Sequence, residues 1–226
     1  MPILNIKSSR WLTSGGQQIF LTALIASLLA LAPFAAQAQS ATSASKLSAQ
    51  DRTLLVEQLT GSRAKLQAAL AGLSEEQMRF KAAPERWSIA EVAEHLTLGE
   101  DFLRGILTEQ ILKRPATPDK KSPMTDEKFM AAIRDRSFKA EAPPQATPKK
   151  NWATVKETMQ EFEQRRARTI AFVKATETNL RTHFTPFGPN NAEIDAAQFV
   201  LLISAHVERH TAQIEEVKAD PKFPKK

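Results

Sequence analysis

Apolar residues recur at helical intervals in four long stretches of the chain, and the segments between them are polar or rich in proline and glycine. In the first stretch, Leu55, Leu59, Leu66, Leu70 and Leu73 repeat at three, four and seven. Ser48-Ala49-Gln50-Asp51 supplies a helix start ahead of them, and Gly72-Leu73-Ser74 a stop after about Ala71. The second stretch has the sharpest boundary. Ser88 and Glu91 have the spacing of a capping box, and Trp87 is placed to staple onto Val92. Its apolar face continues through Leu96, Leu103 and Ile106. Trp152, Val155, Met159, Phe162, Ile170 and Val173 define a third helix. A fourth runs from about Ile194 to Lys218, with Val200, Ile203, Val207, His210, Ile214 and Val217 inward, until Pro221 and Pro224 stop it.

Residues 113–150 are rich in proline and lysine and predict a long connection between the second and third helices, with one amphipathic piece over Glu127 to Ile133. It reads equally as a lid and as loose surface chain. Thr182 to Asn191, with its prolines and Gly188, reads as a rigid loop. Strand-like alternation is missing throughout, so the expectation is an all-α domain over 48–224, a four-helix bundle of antiparallel type.

The chemistry sits on two of these helices. His206 and His210 stand four residues apart, which puts both imidazoles on one face about a turn from each other. His95 lies beside the apolar stripe of the second helix. Three neutral imidazoles make a divalent-metal site that keeps positions open, as catalytic zinc centres do. The plainer readings are a solvated histidine pair and a core histidine bonded to a carbonyl. Val207 occupies the place where a zinc protease of the H-E-x-x-H type carries its glutamate, which excludes that class. Glu208, adjacent to this pair, is the weak candidate for a carboxylate assisting the site; an outward, solvated Glu208 is the alternative. Arg166 falls on the inner stripe of the third helix, either reaching an acidic substrate or snorkelling outward over apolar surface.

Composition narrows the setting. Lys7 and Arg10 precede an apolar run from Ile19 to Phe34 and the small residues Ala35-Ala36-Gln37-Ala38, the pattern of a secretory signal cleaved after Ala38. The rival is an uncleaved anchor, but the run is shorter than about 20 residues and ends in a good cleavage site. Residues 39–47 then form a flexible leader, and the protein is expected in the periplasm or secreted, with no stable membrane insertion once the signal is removed. The 226-residue chain has no cysteine, so neither a lipidated cysteine nor a thiol nucleophile is available and the core holds without disulfides. Its formal charge of +6 falls to about +4 without Lys7 and Arg10, interspersed rather than gathered in a patch. With no tyrosine for stacking either, a nucleic-acid partner is not expected.

Taken in order, Trp87-Ser88-Ile89-Ala90-Glu91-Val92-Ala93-Glu94-His95-Leu96, His183 with Phe187-Gly188, and His206 to Ile214 resemble the DinB-like superfamily, over roughly 48–224. The resemblance implies a bundle built around a divalent ion, zinc or nickel, with His95, His206 and His210 as ligands. It implies a second-shell or pocket-rim position for His183, a plain structural role being the alternative. Relatives include thiol-dependent transferases and isomerases, but their thiols are mainly cytoplasmic, at odds with an export signal. The functional expectation is a metal-dependent hydrolase or transferase acting on a small molecule, with a homodimer left open. The alternative is a bundle that binds a ligand or partner without turnover.

Overall fold

The computed structural model describes residues 46–137, 141–188 and 190–225. The expected export signal over 1–38 and the start of the leader lie outside the described residues. Among the described residues there are six α-helices: α1 (Ala49–Leu70), α2 (Glu75–Arg79), α3 (Ile89–Ile106), α4 (Asp126–Arg134), α5 (Val155–Ala175) and α6 (Ala196–Lys218). The four long ones, α1, α3, α5 and α6, form the bundle. Each begins at a side-chain cap placed where the local sequence puts it: Ser48, Ser88 with Glu91, Thr154 with Glu157, and Asp195. Just ahead of α1, Leu47 is buried and Lys46 pairs with Thr178. At the other end Phe223 meets the Phe80 ring edge-on at 5.5 Å, and Gln77 donates to the Pro224 carbonyl.

Helix directions follow from which residues meet. Arg52 at the start of α1 donates to the carbonyls of Val173, Lys174 and Thr176 at the end of α5, so these two helices are antiparallel. Gln58 meets Ser204, and Ala69 meets Lys218, so α1 and α6 run the same way. Along α3 and α5, Thr97 meets Thr158, and Glu100 meets Arg166, so this pair is parallel too. The expected antiparallel arrangement therefore holds for only two of the four neighbouring pairs. The consequence reaches the site. A chain leaving the far end of α3 must travel back along it to the level of Glu94 before α5 can start beside it.

The described parts of the connection, 112–137 and 141–154, place α4 against α6 and a 3₁₀ turn, Pro144–Ala146, against α3. The expected rigid loop after α5 is instead a small antiparallel hairpin, β1 (Phe184–Phe187) and β2 (Ala192–Asp195). Gly188, at φ +72°, turns it. Arg181 ties this end together. Its guanidinium reaches Asp51 at the start of α1, Asp126 at the start of α4, and Asp195 at the cap of α6. Each strand is only four residues long, too short for alternation to show in the sequence.

Apolar packing divides into two clusters, one around Leu55, Leu59, Leu107, Val200 and Ile203, the other around Leu66, Val92, Leu96, Phe162, Val207 and Ile214. Between them lies a buried polar layer. Arg166, wholly buried, pairs with Glu100 through two bonds of 3.0 and 2.5 Å and donates to the Leu59 carbonyl and to Ser62. Thr169 donates to Glu100, and Ser204 to Ser62. Both sequence readings of Arg166 are corrected: it neither snorkels to the surface nor faces a ligand, because a buried carboxylate already satisfies it. Removing one partner leaves the other charge uncompensated. Arg166→Met should therefore cost about 3–5 kcal/mol in urea unfolding, whereas Arg166→Met combined with Glu100→Leu recovers at least half of the loss.

Candidate metal centre

Helices α3 and α6 are antiparallel neighbours, and their facing surfaces carry three imidazoles. The capping box at Ser88 fixes the start of α3, which sets the height of His95 nearly two turns on. The Asp195 cap does the same for α6, where His206 and His210 project one turn apart. Ring centroids are 5.0 Å apart for His95 and His206, and 4.6 Å for each of the other two pairs. One nitrogen from each ring lies within 4.8 Å of the others. The three histidines expected to act together are thus brought together.

The outer nitrogens determine what the inner ones can do. His95 Nδ1 is 2.7 Å from the carbonyl oxygen of Ala146, which can only accept, so Nδ1 carries the proton and Nε2 presents a lone pair. His210 Nδ1 is 2.8 Å from Gln213 Oε1, which places its proton in the same way. His95 Nε2 stands 3.1 Å from His206 Nε2. Two such nitrogens need a shared proton or a shared electrophile between them. Nitrogens bound at about 2.0–2.1 Å to one tetrahedral zinc stand roughly 3.3 Å apart, so the His95–His206 pair is already at ligand spacing, with a His210 nitrogen within 4.8 Å of both.

Burial keeps the three rings neutral. Desolvation lowers the His95 pKa against the opposing pull of the Ala146 hydrogen bond. His206 is driven well below the usual histidine value by burial, then by the positive charge that His210 and His95 would carry. Burial, with His95 next, pushes His210 down to about 3. Neutral imidazole is the form that ligates a metal. Trp87 closes one side, its ring centroid 4.9 Å from His95 and 6.5 Å from His210. Gly99 lies on the other side, where a Cβ would stand 3.6 Å from the His206 ring, an ordinary van der Waals contact.

Two other sequence candidates are placed elsewhere. Glu208 gives one oxygen to Lys65 and the other to Arg134, so its carboxylate is committed to ion pairs. His183 lies beside the hairpin with Nδ1 on the Arg114 carbonyl, at the start of α6 and about 15 Å of helix before His206. There it links the return connection to the hairpin through the Arg114 carbonyl. Gln213, Ala146 and Trp87 were not singled out as site residues. The i,i+3 spacing of His210 and Gln213 was a readable signal, whereas a main-chain oxygen carries none.

The model of the DinB superfamily matches residues 58–214, and the chain belongs to that superfamily. Among curated proteins it is 26% identical over 149 residues to the uncharacterized protein YuaE of Bacillus subtilis (strain 168), spanning 66% of this chain and 88% of the relative. Among solved structures it aligns with YfiT from Bacillus subtilis at 17% identity and a TM-score of 0.47, over 76% of this chain and 88% of that one. YfiT is described as "a probable metal-dependent hydrolase with an unusual four-helix bundle topology".

The lowered histidine pKa values make stability depend on pH with a definite sign. Below about 6.5 the unfolded chain takes up protons that the folded imidazoles refuse, so folded stability falls as pH drops from 7 towards 3. The urea midpoint of metal-free protein should be lower at pH 5 than at pH 7.5, and the difference should shrink in His206→Gln.

Proposed function

We propose that this chain is an exported, metal-dependent enzyme that hydrolyses a small molecule or transfers a group to or from it, using zinc or nickel held by His95, His206 and His210. The observation that carries the reading is the convergence of three neutral imidazoles, two with their outer nitrogens already donating to fixed acceptors. His95 and His210 offer Nε2 inward, and His206 completes the set. A divalent ion held by three imidazoles supplies Lewis acidity and lowers the pKa of water towards about 7. Ala146 and Gln213 hold the proton on the far side of two rings, which keeps both in the ligating tautomer. Trp87 offers an aromatic wall for the apolar part of a substrate. Hydrolysis is the preferred reaction class, since export would separate the protein from the cytoplasmic thiols that transfer needs.

One observation favours a second reading, in which the ion anchors a ligand without turnover. The carboxylates beside the ligands, Glu94 and Glu208, are both fully engaged by other groups. Neither is free to act as a general base.

Protein purified without an affinity tag should contain about one divalent ion per chain by elemental analysis, and His210→Ala should weaken binding roughly tenfold or more. Absence of any ion after incubation with zinc or nickel would remove both readings. Turnover of an ester and amide panel that disappears in His210→Ala identifies the enzyme; bound metal with no turnover identifies the binding module. N-terminal sequencing of the native protein, with Gln39 expected first, tests export.

A further inference from the structure

The return connection touches the site through a main-chain atom, and the same segment is bonded a few residues on by a buried carboxylate adjacent to His95. Glu94 accepts four hydrogen bonds from the segment just before α5: from the backbone N–H of Lys149 at 2.9 Å, Lys150 at 3.1 Å and Asn151 at 2.9 Å, and from the Asn151 amide at 2.6 Å. Three successive N–H groups converge on one carboxylate because Lys150 adopts φ +59°, the left-handed conformation that makes a concave nest of backbone donors. Holding a lysine there costs conformational energy that the charged acceptor offsets. The nest starts three residues after Ala146, whose carbonyl meets His95. Adjacent residues of α3 therefore grip the same short segment, Glu94 by its nest and His95 by its carbonyl.

We propose that Glu94 is the positioning residue of the centre: by anchoring residues 149–151 it fixes the Ala146 carbonyl against His95 Nδ1, and so commits His95 Nε2 to the metal. This rests on the metal-binding reading for its consequence, but the first link concerns only the metal-free protein. Without the anchor the segment drifts, the Nδ1 acceptor is lost, and the ring can protonate on Nε2 and turn its lone pair away. A carboxylate acting solely as a loop clamp would change stability and leave the imidazole tautomer alone. By linkage the coupling is reciprocal: metal binding should in turn hold the 146–151 segment more tightly.

The experiment has two arms and four variants. Nitrogen-15 NMR of the metal-free protein at pH 8 reads the tautomer of His95, and cobalt(II) titration reads affinity and the visible spectrum. In the wild type His95 should be a single Nδ1–H tautomer. Glu94→Gln and Glu94→Ala should mix the tautomers and weaken cobalt binding by about 10–100-fold, with Asn151→Ala, which removes one of the four bonds, in between. Arg52→Ala controls for stability, since it releases the end of α5 far from the site; it should leave both readouts unchanged. If Glu94→Ala fails to fold, Glu94→Gln and Asn151→Ala decide. An unchanged tautomer in the Glu94 variants overturns the proposal, whether or not cobalt affinity falls, and so does an equal loss of affinity in Arg52→Ala. A wild type that binds no cobalt defeats the metal reading alone, and the tautomer arm still judges the role of Glu94.

Discussion

Two consecutive long helices that lie side by side and point the same way cannot be joined by a short turn. In this bundle α3 and α5 are such a pair, and the chain between them must run back along α3 to the level of Glu94. That obligation accounts for a long proline-rich connection, whose α4 adds Phe129 and Met130 to the first apolar cluster. It also explains why the connection passes the imidazoles. Its route runs down α6, where α4 docks, and arrives at α3 beside His95, where the 3₁₀ turn and the nest are held. The centre is built on two bundle helices and finished by a segment that topology forces past it.

The buried polar layer is the second constraint. Arg166 and Glu100 cross the middle of the core as a matched pair, and the surrounding hydroxyls and the Leu59 carbonyl meet their remaining bonding capacity. A charge placed there unmatched would be severely destabilising. The Arg166 charge is among the influences that disfavour protonation of His206, after burial and the neighbouring rings. The polar layer thus helps keep an uncharged donor set next to a charged floor.

Local chemistry was legible in the sequence, and distant chemistry was not. The Ser88–Glu91 capping box is a pattern within four residues, and the structure forms it. The His206–His210 pair needs only the period of one helix. The role of Arg166 depended on Glu100, sixty-six positions away, and a stripe on a helical wheel cannot distinguish an arginine turned outward from one neutralised inside. The antiparallel expectation failed for the same reason, since direction is set by which helix packs beside which. The hairpin escaped notice because its strands, four residues each, are too short for alternation to show. Ala146 could not be found at all: the sequence names side chains, and the group that matters there is an oxygen every residue possesses.

That last point has a consequence for how such a centre can change. Since a peptide oxygen orients His95, the side chains on the 141–148 segment are uncoupled from the task of holding the ring. The exposed ones, Glu141 and Gln145 among them, can be exchanged without disturbing the donor set provided the backbone keeps its path, whereas the buried Ala146 side chain cannot grow. The fold therefore separates a fixed set of three imidazoles from a neighbouring segment whose exposed side chains are free to vary.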